Sequence, residues 1–121
     1  MDETFAIKVE LEKAEQSRLR GNEGRARVCA RRAAGLAARQ YIFRSGQIVR
    51  TSSAYDLLQQ LTEDTELPQD IRQAAAYLTL RVDEHFKLPV EVDLILEATK
   101  LCAYLKMDHL ESRDPKDPNG L

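Results

Sequence analysis

Two histidines stand in the chain, His85 and His109, and only the first has a neighbour suited to chemistry. His85 follows Arg81 by four positions, so on a helix the two side chains lie one above the other. Histidine moves a proton near neutral pH and arginine steadies a phosphate, which makes Arg81 and His85 the candidate catalytic pair. The plainer reading leaves His85 as a helix-end residue satisfied by a carboxylate or a main-chain carbonyl. His109 sits at the start of a polar tail and is taken as incidental. No HExxH, CxxC or other His/Asp/Glu cluster at ligand spacing occurs, so neither a metal nor a cofactor is expected. Gly21-Asn22-Glu23-Gly24 lacks the Lys-Ser/Thr that completes a phosphate-cradling loop.

The second chemical signal is a run of nine arginines: Arg18, Arg20, Arg25, Arg27, Arg31, Arg32, Arg39, Arg44 and Arg50, with Glu23 the only acid and no lysine among them. The formal charge is −3 over residues 1–17, +8 over 18–50 and −7 over 51–121, so the net −2 hides a polarised chain. Such asymmetry suits either a polyanion-binding face or a protein whose acidic half neutralises its basic half. Arginine forms bidentate contacts with carboxylates and phosphates that lysine cannot. Arg25, Arg32 and Arg39 recur every seven residues on one border of the second helix, and Arg27 and Arg31 lie on the other. These five are the candidate residues for anion, nucleic-acid or partner binding.

The elements that must position these groups are nearly all helical, with glycine and proline marking the breaks. A first helix is expected over about 3–20, with Phe5, Ile7, Val9, Leu11 and Ala14. A second is expected over about 25–45, where Ala26, Ala30, Ala33 and Ala37 form a narrow seam flanked by Cys29, Leu36 and Phe43 on one side and Tyr41 on the other. Val28, Gly35 and Ile42 make a thin stripe on its far side, which suggests a further buried contact, such as another subunit. Ala54, Leu57, Leu58 and Leu61 give a third helix over about 53–64, with Thr51, Ser52 and Ser53 as rival N-caps. A fourth begins at Pro68 or Gln69 and carries the stripe Ile71, Ala74, Ala75, Leu78, Val82 and His85. The fifth spans about 91–107 through Leu94, Ile95, Ala98, Leu101, Cys102 and Leu105. The fold class is therefore all-α, an antiparallel up-and-down bundle of four to five helices over residues 1–108, with a flexible polar tail over 109–121.

At 121 residues and 43% hydrophobic content, the chain is long enough for one core. Three phenylalanines, four tyrosines and no tryptophan weigh against a stacking platform for single-stranded nucleic acid. No apolar run reaches membrane-spanning length, and Met-Asp-Glu-Thr-Phe lacks the start of a secretory signal. Cys29 and Cys102 are unpaired in the sequence pattern, and a cytoplasmic location is expected.

The order of these features resembles the HEPN domain, a helical family named for nucleotide binding in higher eukaryotes and prokaryotes. Ala14-Glu15, then Gly21-Asn22 and Ala26, are similar to its first helix and the turn into the second. Ala30 to Tyr41 resembles its alanine-rich second helix. Ser53-Ala54-Tyr55-Asp56-Leu57-Leu58 is similar to the short third helix, and Ala75 to Pro89 to the stretch that often ends in Tyr-Ile-Pro-x-Arg-Tyr-Pro. Glu97-Ala98 opens the last helix. The resemblance covers about residues 5–106, through loose motifs that mostly reflect helix packing. It implies a homodimer that works beside a minimal nucleotidyltransferase or in a toxin–antitoxin pair. Ribonuclease members carry Arg, four to six residues, then His. Here only three residues separate Arg81 from His85, which turns the relative direction of the two by about 100° on a helix. The third-helix histidine of the family is replaced by Ser53 or Ala54. The expected function is thus a non-catalytic interaction module, with a metal-independent ribonuclease using Arg81 and His85 as the alternative. A tetratricopeptide-like hairpin ranks last, because no second copy follows about 34 residues on.

Overall fold

A computed structural model describes residues 3–113 of the chain, and the side chains of residues 3–106. Five helices follow one another: α1 (Thr4–Leu19), α2 (Glu23–Arg44), α3 (Ala54–Thr62), α4 (Gln69–Leu78) and α5 (Leu94–Arg113). No strand occurs among the described residues, and the class is all-α. α2 is the central rod and packs against α1, α5, α3 and α4, while α4 also packs against α5 and α3. No helix among the described residues is long and apolar enough to cross a membrane.

The breaks fall where glycine permits them. α1 ends with Gly21 at φ +80°. Its N–H donates to the Arg18 carbonyl at 2.9 Å and that of Asn22 to the Ser17 carbonyl at 2.8 Å, the pair of bonds that defines a Schellman motif. Gly46 (φ +87°) repeats the device at the end of α2. Asn22 then caps α2, its side chain accepting from the Arg25 N–H. A connection this short makes α1 and α2 antiparallel neighbours. Of the three rival N-caps before α3, Ser53 is the one used, accepting from the Asp56 N–H at 3.2 Å. α5 begins at Leu94, not 91, because Asp93 caps it by accepting from the N–H groups of Ile95 and Leu96. It runs on to Arg113, past residue 108 where the sequence places the end of the domain. Residues 114–121 of the expected tail lie outside the described residues.

The core is the alanine seam of α2 filled by leucines from its neighbours. Ala26, Ala30, Ala33, Ala34, Ala37 and Ala38 are buried, facing Leu57, Leu58, Leu61, Ile71, Leu78, Leu94, Leu101 and Leu105 in one cluster. Leu36 is half-buried, and Phe43 is largely exposed. The far-side stripe is mostly covered from within the chain, which corrects the reading of it as a subunit contact. Ile42 is buried, and Gly35 lies so close to α3 that a Cβ there would meet Ala54 Cβ at 2.6 Å. Only Val28 of that stripe stays exposed.

The fourth helix departs most from expectation. It stops at Leu78, and Val82 and His85 fall on an exposed loop over 79–93 instead of its apolar face. Three local features end it. The Thr79 hydroxyl donates to the Ala76 carbonyl, Thr79 and Val82 are β-branched, and the Asp83 side chain competes for nearby main-chain N–H groups. A distant residue completes the stop: Arg31 donates to the Leu78 and Leu80 carbonyls, taking the acceptors that further turns would use.

Candidate functional site

The two arginine borders of α2 meet different fates. On one, Arg39 pairs with Glu3 at 2.7 Å, while Arg25 and Arg32 are exposed and make no ion pair among the described residues. Arg32 and Arg39 line a small hollow of about 280 Å³ beside Glu10 and Gly35. On the other border, Arg27 and Arg31 stand one turn apart and face the loop that follows α4. Arg31 is half-buried, its Nε donating to the Leu78 carbonyl at 2.9 Å and its Nη2 to the Leu80 carbonyl. Arg27 Nη1 reaches the Phe86 carbonyl at 3.4 Å. Arg81, from the start of the loop, lays its guanidinium over the Tyr55 ring, 5.0 Å from the centroid.

These three cations line a groove of about 660 Å³ with Val28 and Tyr55, then Leu80, Val82 and Phe86. No carboxylate pairs with Arg27, Arg31 or Arg81 among the described residues; Glu23, on the groove's edge, is held by Arg18 instead. The cost shows at Arg31, whose pKa is lowered, first by burial and then by repulsion from Arg27 and Arg81. It remains a cation, and its main-chain acceptors hold it in place.

His85 does not join this group. It lies in a tight turn closed by Asp83, whose Oδ1 accepts from the His85 N–H at 2.7 Å and the Lys87 N–H at 3.0 Å. The Asp83 N–H donates to the Lys87 carbonyl, and the Phe86 N–H to the Asp83 carbonyl. The helical geometry expected for Arg81 and His85 is therefore absent. Both are exposed on the loop, where Arg81 lies over Tyr55 and the His85 N–H is bound by Asp83. The same turn forces Phe86 into the left-handed region at φ +62° and leaves its side chain 78% exposed. Among the described residues no group of His, Cys, Asp and Glu could hold a metal ion.

No family model, no curated protein and no solved structure matches this chain. The site therefore has to be read from its own groups. Arg27, Arg31 and Arg81 were legible as candidates from the sequence, though in two separate roles. Tyr55 and Phe86 carried no such signal. Asp83, a good turn former two residues before His85, was the clue to the turn.

A separate ion-pair cluster holds the frame. Arg18 contacts Glu23 at 2.6 Å and Asp93 at 3.0 Å, tying the α1–α2 turn to the start of α5. The Glu23 carboxyl is held below its ordinary range by the Arg18 hydrogen bond. Burial works to raise Asp93, but the Leu96 N–H and Arg18 prevail and lower it. Depressed carboxylates stabilise the fold above their unfolded pKa, and that stability is lost as pH falls through the folded values. Stability is expected to drop below about pH 4, and Arg18→Ala to flatten that acid limb in pH-dependent urea titrations. Because both carboxylates are partly exposed, the cluster contributes only about 0.5–1 kcal/mol at neutral pH. An acid limb unchanged by Arg18→Ala would refute this assignment.

Proposed function

We propose that the chain is a non-catalytic interaction module of HEPN-like type that grips a protein partner in the groove between α2 and the 79–93 loop. The observation that carries this reading is the convergence of Arg27, Arg31 and Arg81 with no carboxylate ion-paired to any of them among the described residues, Glu23 at the edge being bonded to Arg18, beside exposed apolar side chains on a preformed turn. Like charges held this close call for an outside anion. A nucleotidyltransferase-type or toxin–antitoxin-type protein is the partner this reading favours, with the chain acting as a homodimer. Phe5, Leu19, Phe43, Ile48 and Leu96 are exposed away from the groove's lining and are among the apolar residues free to serve the dimer. Light scattering on the purified chain measures that state directly.

Partner contact is tested by placing a photo-crosslinking residue at Val28, in the groove, or at Thr99, on the exposed side of α5. Val28 is expected to crosslink one discrete protein in the native host and Thr99 none. Crosslinking from neither position, or equally from both, overturns the groove as the contact surface.

The ribonuclease alternative makes an opposite forecast. A phosphate between Arg81 and His85 would need the two side chains to converge, and Arg81 is engaged with Tyr55. The chain is expected to leave labelled RNA intact. Cleavage that vanishes in both Arg81→Ala and His85→Ala, with the fold retained, would replace the non-catalytic reading.

A further inference from the structure

Resting on that groove, we infer that its ligand is a short acidic peptide segment of a protein partner, one carboxylate seated among Arg27, Arg31 and Arg81 and an apolar side chain packed against Phe86. The first support is how Phe86 is held. A bulky L-residue in the left-handed region is strained, and nothing about an exposed ring repays that strain in the isolated chain. Four hydrogen bonds to Asp83 and Lys87 fix the turn, and Arg27 adds a contact to the Phe86 carbonyl. The ring lies on the border of two hollows, the arginine groove and a second of about 570 Å³ that also includes Arg27, Leu88, Val90 and Val92. An exposed aromatic on a fixed turn, bordering both hollows with Val28 and Val82 on one side and Leu88, Val90 and Val92 on the other, is the form of an interface anchor.

The second support is charge. Arg31 Nε and Nη2 are occupied by carbonyls, while none of its described contacts uses Nη1. Arg27 and Arg81 offer the neighbouring donors, a set suited to one carboxylate or one phosphate. The positive field is narrow, however. Asp83 and Glu84 lie on the same turn and Glu23 on the groove's edge, and in the second hollow Glu91 and Asp93 alternate with Arg18 and Lys87, so no continuous basic track extends beyond the three arginines. A nucleic-acid strand would carry a phosphate at every nucleotide past these acids. It would also need repeated ring faces to stack on, and Arg81 already covers Tyr55. A peptide needs only one anion at the arginines and one aliphatic or aromatic side chain against Val28, Val82 and Phe86.

The test is a titration of the isotope-labelled full chain, read by amide shifts, with four probes: acetyl-Glu-Leu-Glu-Phe-amide, its Gln-Leu-Gln-Phe analogue, inorganic phosphate and hexauridylate. The acidic peptide is expected to shift Gly24, Arg27, Arg31 and residues 80–86 with a dissociation constant of about 0.1–1 mM. The neutral analogue should bind about tenfold more weakly or not at all. Phe86→Asn supplies the internal control. Asparagine tolerates the left-handed region, so the variant should melt about 2–5 °C higher while binding the peptide about tenfold more weakly. Native affinity in Phe86→Asn overturns the anchor. Phosphate or hexauridylate shifting the groove residues at least as readily as the peptide overturns the peptide chemistry and leaves the groove as a contact surface. Failure of all four probes to shift those residues overturns both.

Discussion

Gly35→Leu is expected to drive α3 off α2, and the milder Gly35→Ala to cost about 1–3 kcal/mol. The obstacle is main chain as well as side chain: a Cβ at residue 35 would meet Ala54 Cβ at 2.6 Å and Ala54 Cα at 3.0 Å. A flexible neighbour could swing aside, but Ala54 is the first residue of α3 and is fixed by the Ser53 cap. The whole helix would have to move, and Leu57, Leu58 and Leu61 would leave the core with it. Urea unfolding gives the check, with a lower midpoint and an unchanged slope. Adding Ala54→Gly to Gly35→Ala removes the shorter of the two clashes and should restore more than half of the loss. Gly24→Ala, at the open start of the same helix, should instead stabilise by about 0.5–1 kcal/mol. A Gly35→Ala protein as stable as the original would show that α2 and α3 are not in this close contact.

Arg31→Met should cost about 1–3 kcal/mol and abolish peptide binding in the groove. The methionine keeps most of the stem's packing, so the variant isolates the guanidinium. What is lost is the charged donor to the Leu78 and Leu80 carbonyls, which closes α4 and sets the exit of the loop. Relief of the repulsion from Arg27 and Arg81 offsets part of that loss, which is why the expected cost has a low lower bound. Hydrogen exchange should then rise at Thr79 and Leu80 before it rises elsewhere. Arg31→Lys restores charge but not the fork, and is expected to recover stability less than halfway. Unchanged exchange at these amides in Arg31→Met would mean that the loop holds itself and Arg31 serves the ligand alone.

These two residues also mark what the sequence could and could not disclose. Gly35 belongs to a periodic pattern, and a glycine sharing one helical stripe with Val28 and Ile42 is in itself a sign of close approach. The breaks at Gly21 and Gly46 and the α3 stripe were legible for the same reason, because each is set by residues within a turn or two, while the cap of α3 was narrowed only to Thr51, Ser52 or Ser53. The end of α4 was not legible. The stripe through Val82 and His85 fits a helix; Thr79, Val82 and Asp83 weaken it locally, and the contact that completes the stop comes from Arg31, 47 residues earlier in the chain. Once the helix ends at Leu78, the spacing of Arg81 and His85 has no helical meaning, and the catalytic pairing loses its geometric basis. The site then forms between α2 and a loop, a juxtaposition that no local pattern encodes. Phe86 is the extreme case: nothing in its neighbourhood except Asp83 hints that its backbone is turned left-handed.

The alanine seam of α2 has a thermodynamic consequence. A buried alanine surrenders no rotamer freedom, so this rod is ordered at low entropic cost, yet each methyl removes little apolar area from water. Less area exposed on unfolding means a smaller heat-capacity change. The stability curve of this protein should therefore be broad and shallow, changing little over tens of degrees, where a bundle of the same length built on leucine would peak more sharply.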